Sequence, residues 1–133
     1  MVSCRLTYAV AMLKAAPTLL VACLPLAALA DGPQVTDATA QQTGGSWRID
    51  VTLSHPDTGW NHYADGWRLL DMEGNVLGLR ELAHPHVNEQ PFTRSLAGVT
   101  LPEGLDAVLI QARCNVDGWS EATYILPLAC TSC

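Results

Sequence analysis

Lysine is almost missing from this chain. Of 133 residues only Lys14 is lysine, and the five basic residues after residue 30 are all arginine. All 13 acidic residues lie beyond residue 30, so Asp31 to Cys133 carries 5 positive against 13 negative charges, a net −8. Such a segment repels phosphate backbones and has no basic stripe, which excludes nucleic acid as a partner. Long apolar runs are missing too: nothing after residue 30 approaches the roughly 20 residues a transmembrane helix needs. A persistent 3.6-residue period is also absent there, which argues against helices.

The first thirty residues stand apart. Arg5 and Lys14 form a positive flank, "AAPTLLVACLPL" (Ala15 to Leu26) is a short apolar run, and "ALA" (Ala28 to Ala30) is a small-x-small motif ahead of Asp31. This is the pattern of a secretory signal peptide cleaved after Ala30. The alternative is a lipobox, "LVAC" (Leu20 to Cys23), which would make Cys23 an acylated N-terminus; the apolar residues that continue past Cys23 favour cleavage. Either route exports the domain, to the periplasm or beyond. There an oxidising environment favours one disulfide among Cys114, Cys130 and Cys133 and leaves one cysteine over.

What the exported part does have is alternation. In "SWRIDVTLSH", Trp47, Ile49, Val51 and Leu53 alternate with polar residues, the mark of a half-buried strand. "GWRLLDMEGNVLGLREL" reads as two strands around a turn at Glu73-Gly74-Asn75, and "PFTRSLAGVTL", "AVLIQARC" and "ATYILPL" supply three more. The pattern predicts an all-β, immunoglobulin-like antiparallel β-sandwich of about seven strands over 46–129. A polar lead-in at 31–45, holding at most one edge strand, precedes it, and a CxxC tail at 130–133 follows.

Strand direction then gathers the reactive residues. If the strands alternate up and down, the loop after His55, the "HPH" segment (His84 to His86) and "NVDGW" (Asn115 to Trp119) fall at one end. All four histidines, with Cys114 and Asp117, meet there. The last hairpin, turning near Gly118, sets Cys114 opposite about residue 122 and Cys130 opposite about residue 106. Eight residues of strand span roughly 26 Å, against the ~7 Å limit for a disulfide. Cys130 and Cys133 are therefore expected to pair, leaving Cys114 a free thiol.

Imidazole and thiolate together suit iron, zinc or copper. The candidate ligands are His55, His62 and Cys114, with Asp117 three residues past the thiol. His84 and His86 either complete that set, form a separate copper or zinc site, or belong to a proline-stiffened surface loop. Trp47, Trp67 and Tyr124 are expected in the core, Trp60 and Trp119 in the loops at the site's end, and Arg94 beside Glu89.

"HPDTGWNHYADGW" (His55 to Trp67) resembles the iron-binding segment of the desulfoferrodoxin and neelaredoxin superoxide reductases, where His-Pro is followed by His-Tyr and a Trp-containing strand. "CNVDGW" (Cys114 to Trp119) is similar to that family's closing Cys-Asn-x-His-Gly segment. The resemblance implies a mononuclear ferrous site of four histidines and an axial thiolate, and carries His55, His62 and Cys114 across as ligands. It also has gaps. Asp117 stands in place of one histidine, no histidine precedes His55, the family's active-site lysine has no counterpart, and the spacing from His55 to His62 is longer. The expectation is an exported domain that binds one transition metal, iron with zinc or copper as alternatives, without full superoxide reductase activity. The competing expectation is a metal-free binding module. "LPEGLDAVLIQA" is also similar to fibronectin type III domains, with Asp106 where their corner tyrosine would stand, and this bears on fold alone.

Overall fold

The alternation in the sequence becomes two stacked antiparallel sheets in the computed structural model, which describes residues 32–128. The strands are β1 (Gln34–Thr43), β2 (Ser46–Ser54), β3 (Ala64–Leu70), β4 (Val76–Glu81), β5 (Phe92–Val99), β6 (Ala107–Cys114), β7 (Gly118–Trp119) and β8 (Tyr124–Pro127). One sheet has the order β1-β2-β5; the other runs β4-β3-β6, with β7 and β8 following one another along the far edge of β6. No helix occurs among the described residues, and none there is long and apolar enough to cross a membrane. Residues 1–30, where a signal peptide or lipobox at Cys23 is expected, and the expected Cys130–Cys133 disulfide lie outside the described residues.

The inward faces are those the period of two selects. Ile49, Val51 and Leu53 of β2 meet Trp67 and Leu69 of β3 and Val108, Ile110 and Ala112 of β6, all of them buried. Each large aliphatic or aromatic side chain so buried contributes about 1.5–3 kcal/mol of transfer free energy. Trp67 is the largest fully buried side chain, Trp47 and Tyr124 pack against the core from its margin, and the predicted turn appears, with Gly74 at φ 88°.

Two expectations need revision. The polar lead-in holds the one edge strand it was allowed, the ten-residue β1, but its pairing with β2 from Gln34↔Ser54 to Thr43↔Ser46 moves the start of the sandwich from residue 46 to residue 34. Its buried contacts come from small residues, Ala38 and Ala40, together with Val35, and a bulge between Val35 and Asp37 breaks the period. Trp119, expected in a loop at the site's end, is instead the last residue of β7. It lies on the outer face of the five-stranded sheet, with the guanidinium groups of Arg68 and Arg113 at 4.0 and 4.9 Å from its ring.

The closing hairpin is also tighter than expected. Cys114 pairs with Gly118 rather than with a residue near 122, because the chain turns through Asn115-Val116-Asp117 and Gly118 adopts φ 76°, a conformation that glycine reaches without steric cost. Both halves of the sandwich thus deliver their strand ends to one edge: β2 stops before His55, β3 starts after Tyr63 and β6 ends at Cys114.

Candidate metal centre

His55 is placed by a turn of three residues. Pro56 stiffens it, and Asp57 N–H bonds back to the His55 carbonyl at 2.8 Å, folding the Asp57 carboxylate under the imidazole. Oδ1 of Asp57 lies 2.6 Å from His55 Nδ1 and also accepts from Ala64 N–H at 2.9 Å. Oδ2 accepts from His86 N–H at 2.8 Å. Both side chains of the His55–Asp57 pair are 0 % exposed. In the neutral ring, a carboxylate on Nδ1 selects the tautomer with hydrogen on Nδ1 and a lone pair on Nε2. His55 Nε2 is buried and has no hydrogen-bond partner.

His62 sits on a second turn. Its N–H bonds to the Gly59 carbonyl at 3.2 Å, and its carbonyl accepts from Thr58 N–H at 3.0 Å. Trp60 and Asn61 form the corner, with Trp60 exposed to solvent and set edge-on to Tyr63 at 5.6 Å. The His62 ring meets the His55 ring edge-on, with centroids 4.8 Å apart.

Cys114, the last residue of β6, is a buried free thiol. Its Sγ lies 3.7 Å from His62 Nε2 and receives the Asp117 N–H at 3.2 Å. The ligand atoms of His55, His62 and Cys114 all fall within 4.8 Å of one another. Asp117 Oδ2 stands 3.6 Å from the sulfur and 3.9 Å from His62 Nε2. Asn115 ties the two loops: its Nδ2 donates to the Trp60 and Asn61 carbonyls, its Oδ1 accepts from Tyr63 N–H, and its own N–H reaches the Tyr63 carbonyl.

The structure thus brings together His55, His62, Cys114 and Asp117. His84 and His86 fall outside the group. His86 is buried, stacked on Phe92 at 3.9 Å, with its Nε2 2.9 Å from an Arg94 nitrogen. Burial, first, and the Arg94 charge, second, hold its pKa below the usual value. Exposed His84 lies against it, ring centroids 4.6 Å apart. Arg94 also reaches Glu89, as expected, at 3.3 Å. A guanidinium against the His86 imidazole opposes a cation there.

Three residues that position the group were not identified from sequence: Asp57, Asn115 and Gln90. Gln90 accepts from His55 N–H at 3.0 Å and donates to the His86 carbonyl. Asp57 leaves a local trace, an acid two residues after His55 and directly after Pro56, and Asn115 directly follows the candidate thiol. Gln90 leaves none, because its contact spans 35 residues of sequence.

No family model matches the chain. The chain is 40% identical over 93 residues to a protein of Halomicrobium mukohataei that carries a provisional lipoprotein designation, a match covering 69% of this chain. The chain spans about 45% of that relative's length. Among solved structures, a hypothetical protein of Pyrococcus horikoshii superposes with a TM-score of 0.50 and 16% identity, covering 74% of this chain and 89% of that one. At that identity the likeness concerns the fold alone.

Proposed function

We propose that this protein is an exported β-sandwich domain that binds one transition-metal ion at its loop end, through His55 Nε2, His62 Nε2 and Cys114 Sγ. The observation that carries this reading is His55: its Nδ1 is committed to a buried carboxylate, while its Nε2 is buried without a partner. A buried acceptor left without a partner costs about 1–3 kcal/mol, and a metal ion is the partner that imidazole and thiolate donors together suit. The Asp57–His55 pair is also the arrangement in which an outer carboxylate orients a metal-binding histidine.

The ferrous site implied by resemblance fits poorly. It asks for four histidines and a thiolate, and the described group offers two histidines and a thiolate, so no step of superoxide reduction is derived. Export rests on the pattern of the first thirty residues. The lipoprotein designation of the Halomicrobium relative is consistent with the acylation route at Cys23.

Elemental analysis of the intact protein, purified without a polyhistidine tag and offered Fe(II), Zn(II) and Cu(II), tests the reading. Near-stoichiometric metal is expected, lost in His62→Ala and retained in His84→Ala. Protein free of metal under every condition would overturn it and leave a binding module.

A further inference from the structure

The resemblance calls for an iron with an open coordination position; the distances around Cys114 describe a different geometry. Asp117 Oδ2, Cys114 Sγ and His62 Nε2 form a triangle with edges of 3.6, 3.7 and 3.9 Å. Metal–ligand bonds of 2.0–2.3 Å meeting at tetrahedral angles separate neighbouring ligand atoms by about 3.3–3.6 Å. The triangle matches one face of such a tetrahedron, slightly expanded. The ligand atom of His55 lies within 4.8 Å of those of Cys114 and His62 and supplies the fourth donor. Contraction falls to the adaptable members. The His62 and Asp117 side chains are 28% and 50% exposed, while His55 is packed and bonded in place.

Resting on the metal-binding reading above, we infer that Asp117 is a fourth ligand and that the site is a closed, tetrahedral centre of two histidines, one cysteine and one aspartate that takes zinc. Four protein donors in tetrahedral array are the arrangement of zinc held for structure, whereas catalytic sites keep a position for water or substrate. The backbone serves the same geometry. Gly118 lets the chain turn so that Asp117 N–H points at Cys114 Sγ while the Asp117 side chain swings over the same sulfur from the solvent side. With two imidazoles neutral, the thiolate and the carboxylate balance a divalent charge.

Co(II) substitution tests this, since tetrahedral Co(II) gives intense visible d–d bands and five- or six-coordinate Co(II) weak ones. The intact protein loaded with Co(II) is expected to show the intense bands and to ignore added azide. In Asp117→Ala the bands should shift and respond to azide, and Zn(II) affinity should fall by more than the roughly tenfold to hundredfold that loss of an outer partner costs. Asp117→Asn, which keeps the side chain's shape, guards against a folding effect and is expected to weaken Zn(II) in the same direction. A wild-type Co(II) spectrum that shifts with azide, or an Asp117→Ala spectrum identical to wild type, overturns the fourth ligand while leaving the three-donor reading intact. Failure of the wild-type protein to bind either ion overturns that reading instead.

Discussion

One carboxylate, Asp57, organises the loop end. It accepts three hydrogen bonds, from His55 Nδ1, from the amide that opens β3 and from the amide of His86, and so joins three segments distant in sequence. Asp57→Asn tests both of its roles. The amide can still accept from Ala64 and His55, but its NH2 then faces the His86 N–H, which loses its acceptor. We expect stability of the metal-free protein to fall by about 1–3 kcal/mol, the cost of one unsatisfied buried donor, read by urea unfolding. Zn(II) affinity, read by competition with a chromophoric chelator, should fall by roughly tenfold to hundredfold. Loss of stability with unchanged affinity would reduce Asp57 to a purely structural role. The sequence displayed His55, His62, Cys114 and Asp117 openly, because imidazole and thiolate are uncommon and their loops converge under any up-and-down arrangement of strands. Asp57 left only the local trace of its place after His55 and Pro56, and what separates it from the other described acidic residues is burial.

At the level of elements, the strands with large alternating side chains were legible and the exceptions share a cause. β2 and β6 present Ile49, Val51 and Leu53, and Val108 and Ile110, to the core. β1 buries mainly alanines across a bulge, so its period is faint and it reads as a polar lead-in. The position of the last turn was misread by a few residues because Gly118 permits a tighter reversal than strand spacing alone suggests. The 83–91 connection is a separate case. Its centre, His86, is stacked on Phe92 and receives the Arg94 guanidinium, while Glu89, His84 and Asp57 act on it from nearby. Its folded pKa lies below the usual 6.5, by burial first and Arg94 second, so folding favours the neutral ring. The stabilisation is therefore complete above about pH 6.5 and is lost as pH falls through the lowered value. The drop in Tm between about pH 7 and about pH 5 should be smaller in His86→Gln than in wild type. An equal drop would assign the acid sensitivity to other groups.

Over the whole molecule, charge and topology pull in different directions. Asp31 to Cys133 carries a net −8, and three of its five arginines are already paired, Arg48 with Asp50, Arg94 with Glu89 and Arg113 with Asp65. The remaining acids repel one another. Raising ionic strength from about 0.01 M to about 0.15 M shortens the screening length from roughly 30 Å to roughly 8 Å, so Tm should rise over that range. A Tm indifferent to salt would mean that the acids are spaced too widely to interact. Against that repulsion stands the provenance of the ligands. His55 continues β2 of the three-stranded sheet, while Cys114 ends β6 of the five-stranded one. Immunoglobulin domains of antibodies lace their two sheets with a disulfide between the corresponding strands. An ion held by His55 and Cys114 would close a loop of about 60 residues, a constraint that in a covalent cross-link is worth about 4 kcal/mol against the unfolded chain. Such a lace, unlike a disulfide, can be undone by a chelator and retied by metal, which makes the grip between the sheets reversible without any change of redox state.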